Sequence, residues 1–215
     1  KMSQDNNRFS QFTDILTSFD EVRSIMGDVH QSIEAKVIDC LDDICTSYIE
    51  ASPFVIMASA GDSHIEVSPK GDPNGFVKVL DEKHLAIPER PGNRRADSYK
   101  NILENPQLGL IFLIPGKMET LRVSGEARIV RDLALRESMA INGRVPEFAL
   151  VLYVERALVH CPKCIVRSHL WQAEKWQDHS HLANINETYI QHSRLSMNEE
   201  DFDKLAEEKG WKILY

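Results

Sequence analysis

The sequence has no stretch long enough to cross a membrane; its longest apolar runs are the length of a single strand. The first forty residues show no basic start followed by an apolar run and a small-residue cleavage site, so no secretory signal is expected. Positive charge is scarce. Against 33 Asp and Glu there are 25 Lys and Arg, and the net charge of −8 argues against a general role on nucleic acid or anionic membranes. There is no Walker loop, no HExxH, no nucleophile elbow and no Rossmann fingerprint, and neither an internal repeat nor a low-complexity block. Cysteine is limited to Cys40, Cys45, Cys161 and Cys164. Nothing demands disulfides, so a reducing cytoplasm fits. Cys161 and Cys164 form a CxxC, the spacing of a redox pair or of half a zinc site. Cys40 and Cys45 have four residues between them rather than two, so no metal site is expected, and buried or incidental thiols are the plainer reading.

What is present suits one large domain, or one domain with helical extensions: 215 residues, 42% hydrophobic and 27% charged. Gln4, Asp5, Asn6 and Asn7 read as a polar end, and Lys1 ahead of Met2 reads as an added residue. Residues 19–26 and 33–49 carry helical spacing, for instance Val37, Leu41, Ile44 and Tyr48, until Ser52-Pro53 ends the ladder. Strand patterns follow at 54–60, 65–68, 76–80, 84–88, 108–114, 119–130 and 148–159. The Pro- and Gly-rich 68–75 reads as a loop, and 108–114 as a strand buried on both faces. Gly125 marks a bulge or a close approach. Short helices are expected at 96–104 and 132–140, the second closed by Asn142-Gly143. Strands at hairpin spacing with few helices between them predict an antiparallel barrel or sandwich. Beyond Trp171 the chain is polar and helical in character.

Within this acidic chain, residues 90–100 hold Arg90, Arg94, Arg95 and Lys100 against a single acid, Asp97. Pro91-Gly92-Asn93 makes a turn, and Asp97-Ser98 a helix start. A helix start exposes unpaired N–H groups and the positive end of its dipole. Guanidinium forks match phosphate oxygens, and a serine hydroxyl adds a donor. Together these make a site for a phosphate dianion, with a solvated basic loop and its cap as the alternative. Val67, Ser68 and Lys70 form a second polar cluster at a strand end. Thr120, Arg122 and Ser124 share one strand face, either lining a cleft or facing solvent. Residues 160–171 place Lys163, Arg167 and Trp171 just after the last strand, where they could close over a ring or simply pack.

Taken in order, VSPKGDPNGFVKVLDEKHLAIPERPGNRRADSYKNILENPQLGLIFLIPG (67–116), ETLRVSGEA (119–127) and HCPKCIVRSHLW (160–171) resemble the pyridoxamine 5′-phosphate oxidase-like, FMN-binding split-barrel proteins. The resemblance implies a mainly β fold with flanking helices (α+β), built on a six-stranded antiparallel split β-barrel. It also implies a homodimer with two FMN molecules at the subunit interface. The expected divisions are a helical extension over 1–52, the FMN-binding barrel over 53–171 and a helical tail over 172–215 that packs on the barrel or dimer. Arg90, Asn93, Arg94, Arg95 and Ser98 would surround the phosphate and ribityl chain. Val67, Ser68, Lys70, Ile87 and Pro88 would lie along the isoalloxazine, with Lys70 or a nearby amide beside the pyrimidine side that gains charge on reduction. Thr120, Arg122, Lys163, Arg167 and Trp171 would come from the partner subunit. The tail lacks a clear version of the basic pattern by which the vitamin oxidases grip pyridoxal phosphate, leaving Arg167 and Trp171 as candidates.

The expected function is an FMN-dependent oxidoreductase acting on a small molecule, with NAD(P)H as a reductant and no side chain required as acid or base. The alternatives are a flavin carrier or redox sensor without turnover, with Trp171 or His169 plugging the ring face, and a barrel that holds haem or a deazaflavin. A haem version calls for an axial ligand such as His64, His84, His160 or His169.

Overall fold

The computed structural model describes residues 8–62 and 64–214; Gln4–Asn7 and Ser63 of the first turn lie outside them. The chain divides into two compact units between Lys36 and Val37. In the first, α1 (Phe19–Met26) starts at a capping box in which the Ser18 hydroxyl accepts from Glu21 N–H and the Glu21 carboxylate accepts from Ser18 N–H. Neither α1 nor α2 (Gln31–Ala35) has a buried residue.

The second unit is built on a seven-stranded antiparallel sheet. Its strands are β1 (Phe54–Ala60), β2 (Ile65–Gly71), β3 (Lys78–Val79), β4 (His84–Pro88), β5 (Gln107–Leu113), β6 (Thr120–Val130) and β7 (Ala149–His160), in the order β2-β1-β5-β6-β7-β4-β3. That is one strand more than the six of the expected barrel, the shortest being the two-residue β3. The sheet does not close by pairing, since β2 and β3 are both edges. Its inner face gathers Val55 and Met57 of β1, Leu85 and Ile87 of β4, Leu110 and Phe112 of β5, Leu121 and Val123 of β6, and Leu152 and Val154 of β7.

α3 (Asp43–Ala51) adds Cys45 and Ile49 to that core, together with Leu41 just ahead of it. This differs from the continuous helix and the Val37, Leu41, Ile44, Tyr48 stripe read in the sequence. Ile38 instead forms a bridge to Ala157 of β7, and Leu41 N–H donates to Glu82 O at 2.7 Å. A new helix therefore starts at the Asp42 cap, whose carboxylate accepts from Cys45 N–H at 2.8 Å. Rotated by that restart, the helix leaves Ile44 exposed.

β2 runs on through Pro69, Lys70 and Gly71, where a loop was expected. Pro69 pairs with Ile56 on an edge strand, where an N–H that points away from the sheet can be missing at no cost in ladder bonds. β5 is buried on one face only, Ile111 being half exposed on the other. The β6–β7 register shifts between Ser124 and Gly125. A Cβ on Gly125 would strike the Tyr153 carbonyl oxygen and lie 2.9 Å from Glu155 N, so the bulge needs glycine there. α4 (Asp97–Glu104) packs against β1 and β2, and α5 (Leu133–Ser138) leads into the Asn142-Gly143 turn before β7. α6 (Lys163–Ser168), α7 (Ile185–His192) and α8 (Glu199–Glu208) follow, with Tyr189 of α7 stacked on Phe202 of α8 at 5.4 Å. No helix among the described residues is long and apolar enough to cross a membrane.

Candidate functional site

A cleft of about 1120 Å³ lies between the edge strand β2 and the segment that runs from the end of β4 into α4. One wall is the inner face of β2, where Glu66, Ser68 and Lys70 sit in register with Ser59, Met57 and Val55 of β1. The other comprises Glu89 and Arg90 past the end of β4, the turn 91–96 and the first turn of α4. Arg90 Nε donates to Asp72 Oδ2 at 2.6 Å and Arg90 Nη2 to the Met139 carbonyl oxygen at 3.0 Å, so this guanidinium fixes the wall as well as lining it.

The turn has unusual backbone. Arg94 and Ala96 both take left-handed φ, 60° and 61°, without being glycine. The Asn93 side chain holds the turn by accepting from Arg95 N–H at 3.0 Å, and Arg95 Nε donates to Asp97 Oδ2 at 2.7 Å. The chain thereby enters α4 with no side-chain cap on its first N–H groups. The Arg94 guanidinium has no ion pair and the Ser98 hydroxyl no hydrogen bond among the described residues, and both border the cleft. An uncapped helix start, a free guanidinium and a free hydroxyl on one cleft form the donor set a phosphate dianion requires. The residues present fit a phosphate-bearing cofactor at this point.

Charge in the cleft is opposite in sign to the chain as a whole. Lys70, Arg90, Arg94, Arg95, Arg144 and Lys209 face Glu66, Asp72, Glu89 and Asp97. Burial lowers the Lys70 ammonium below its ordinary value, while its Nζ donates to Ser68 Oγ at 2.9 Å. Burial raises the Glu89 carboxyl above the usual range, with Lys70 and Arg90 pulling it back. The Tyr99 phenol is pushed up to about 12, by burial first and by Glu89 second. Its ring meets Phe148 edge-on at 4.9 Å, closing the floor between α4 and β7.

Seven of the residues singled out in the sequence therefore meet in one cleft: Ser68, Lys70, Arg90, Asn93, Arg94, Arg95 and Ser98. Val67 projects from the opposite face of β2, and the Ile87 and Pro88 side chains are buried in the sheet beside Leu150 and Ala149. Thr120, Arg122, Lys163, Arg167 and Trp171 form a separate group. Thr120 pairs with His160, the last residue of β7, and Trp171 Nε1 donates to the Lys117 carbonyl oxygen at 2.8 Å. Pro88, beside the cleft, pairs with Ala149, the first residue of β7. At the usual rise per residue the two ends of that twelve-residue strand are roughly 36 Å apart along the chain.

A sequence model of the pyridoxamine 5′-phosphate oxidase family matches residues 41–160, more than half of the chain. The chain belongs to that family. Solved structures with similar folds include HupZ of Group A Streptococcus, 18% identical over 55% of this chain and 92% of that one, TM-score 0.45. A NimC/NimA family protein from Clostridium acetobutylicum is 16% identical over 56% of this chain and 87% of that one, TM-score 0.40. A protein of the same organism related to general stress protein 26, of the pyridoxinephosphate oxidase family, is 17% identical over 54% and 84%, TM-score 0.39. No curated protein matches the chain significantly.

Family membership covers α3 and the whole sheet, and leaves α1, α2 and the tail outside the match. Sequence reasoning missed several cleft residues. Glu89, Tyr99 and Phe148 read as ordinary strand and helix positions, and Arg144, Lys209 and Trp211 lie far from any motif. The available signal was the Asn142-Gly143 dipeptide, a tight-turn pair that fixes the residue following it. Among the described residues no three His, Cys, Asp or Glu side chains group as metal ligands. Cys161 and Cys164 are free and exposed, whereas burial, and then Asp42, push the Cys45 thiol up to about 12.

Proposed function

We propose that the protein is an FMN-dependent oxidoreductase working as a cytoplasmic homodimer on a small molecule, with NAD(P)H as reductant. The observation that carries the reading is the unpaired Arg94 guanidinium beside the uncapped start of α4. There Arg94, Ser98 and the first N–H groups of the helix bind the FMN phosphate, while Asn93 and Arg95 hold the turn in shape. Lys70 and Ser68 serve the polar edge of the ring from β2, and Glu89 faces Lys70 as a group able to hold a proton. When bound, FMN supplies hydride or single-electron transfer, and the chain supplies position and local charge.

The dimer has its own support. The outer face of the sheet carries Ile65, Val67, Phe54 and Ile111 exposed together on β2, β1 and β5, with Arg122 beside Ile111. An apolar patch of this kind on a folded sheet suits an interface. A second copy seated there would bring its Thr120, Arg122 and Trp171 group towards a cleft that its own chain leaves a strand length away. The four free cysteines fit a reducing compartment.

Among the four histidines considered as haem ligands, none borders the cleft, which favours flavin over histidine-ligated haem from this chain. Purified protein should be yellow and release FMN on denaturation, and the bound flavin should reoxidise with turnover on NAD(P)H. Release of a different chromophore overturns the cofactor. Tight FMN without any turnover leaves a carrier or sensor in place of the enzyme.

A further inference from the structure

We propose that Cys161 and Cys164 form a reversible dithiol–disulfide couple that exchanges with low-mass disulfides. This redox site follows the end of β7, the opposite end of that strand from the cleft, and does not rest on the flavin reading.

The two cysteines bracket a turn already shaped for a disulfide. Cys161 follows His160, the last residue of β7, which pairs with Thr120. Pro162 takes right-handed helical backbone, φ −74° and ψ −9°, and Lys163 opens α6. The Cα separation of residues three apart is set by the dihedrals of the two residues between them. With both of those helical, the Cys161 and Cys164 Cα atoms lie about 5 Å apart, inside the roughly 4.4–6.8 Å that a disulfide spans. The proline ring locks φ, and Val166 N–H donates to the Pro162 carbonyl oxygen at 2.9 Å, so the turn is held before any bond forms. Beyond it the segment is anchored twice, by the buried Ile165 and by Trp171 Nε1 on the Lys117 carbonyl oxygen.

Cys161 and Cys164 are both free and exposed, whereas Cys45 is buried and Cys40 half-buried. Their surroundings are cationic in a chain where acids outnumber Lys and Arg. From Arg156 to Ala173 there is no Asp or Glu, and Lys163 and Arg167 have no ion pair among the described residues. Glu119, one residue before the Thr120 that pairs with His160, is taken up by Lys117 at 3.2 Å. Exposed cysteines in electropositive surroundings are the reactive ones, and such surroundings draw in an anionic disulfide. With only two residues between the cysteines, closing the loop removes little chain entropy, so the bond adds little to the fold and exchanges readily. One thiolate of the pair attacks a sulfur of the small disulfide, breaking its S–S bond and releasing one small thiolate. The other then attacks the protein sulfur of that mixed disulfide and releases the second. The two cysteine protons pass to the released thiolates, so the protein dithiol is oxidised by two electrons and the small disulfide is reduced to two thiols.

The test is titration of the reduced full-length chain with buffers of glutathione and glutathione disulfide, read by alkylation, intact mass and peptide mapping. The Cys161 and Cys164 thiols should disappear together as one intrachain disulfide and return with dithiothreitol, while Cys40 stays open to alkylation. Cys161→Ser and Cys164→Ser should each stop at a glutathione adduct on the remaining cysteine. That adduct should stand about tenfold above its level in the parent, where the neighbouring thiol resolves it. Unlinked adducts on both cysteines of the parent, disulfides between chains, or oxidation of Cys40 on equal terms would overturn the couple and leave incidental surface thiols. The readout does not involve FMN, so failure of the couple and failure of the flavin reading are separate results.

Discussion

Arg90 and Asp72 tie the end of β4 to the end of the edge strand β2, with Arg90 Nε 2.6 Å from Asp72 Oδ2. Asp72 lies one residue past β2 and Arg90 two residues past β4, so this pair sets the width of the cleft between them. Asp72 is almost fully buried, its side chain 1% exposed, against 18% for Arg90. Removing one partner of such a pair leaves the other charge uncompensated. Asp72→Ala should therefore destabilise the fold by about 3 kcal/mol in urea unfolding, the low end for a broken buried pair. A loss below about 1 kcal/mol would place the pair with surface salt bridges and remove its role as a clamp.

Gly125→Ala should be destabilising out of proportion to one added methyl group. The new Cβ meets the Tyr153 carbonyl oxygen and Glu155 N on the neighbouring strand, both backbone, so neither can rotate away. A cost of about 1–3 kcal/mol is expected by chemical denaturation, with Ser124→Ala, one residue along, as the mild control. Equal midpoints for the two variants would mean the β6–β7 bulge tolerates a side chain.

Much of this was legible in the sequence, and the exceptions share a cause. The strands, the Gly125 bulge and the α4 start follow from local pattern and turn chemistry, which the tertiary fold leaves intact. The break before α3 does not, because Ile38 leaves the helix to pair with Ala157, more than a hundred residues away. Pro69 reads as a loop residue until β2 is known to be an edge. Arg90 looks like the other arginines of its cluster, and only its contacts with Asp72 and the Met139 carbonyl oxygen give it a structural task. Trp211 and Arg144 reach the cleft through two turns whose meeting no short motif encodes.

Glu89 gives the stability a pH signature. Burial raises its carboxyl above the ordinary value of 4.5, so the folded protein holds this proton more tightly than the unfolded chain. Its contribution is fully present below the unfolded value and is lost as pH rises through the folded one. Glu89→Gln, which cannot lose that proton, should gain stability relative to the parent as pH is raised from about 4 to 7. Urea midpoints at several pH values give the comparison. A variant that falls further behind with rising pH would show that attraction to Lys70 and Arg90 outweighs the burial of Glu89.

Val67→Glu tests the proposed dimer without touching the cleft, because Val67 projects from the outer face of β2 while Ser68 and Lys70 project from the inner one. The parent should have a solution mass twice that of its 24.5 kDa chain. The variant should shift to monomer and bind FMN more weakly, since the partner's share of the site goes with the dimer. A monomeric parent, or a Val67→Glu dimer of unchanged mass, would remove the sheet face as the interface.

The most direct measurement is the melting temperature of the protein with and without FMN, for the parent, Arg94→Ala and Arg131→Ala. A ligand that binds only the folded state stabilises it by about 2.7 kcal/mol at a hundred times its dissociation constant. Arg131 lies away from the cleft, on Glu147. The parent and Arg131→Ala should therefore rise by several degrees at saturating FMN, while Arg94→Ala rises little. A parent protein that is colourless and whose melting temperature is unmoved by FMN would contradict the phosphate site at Arg94 and α4.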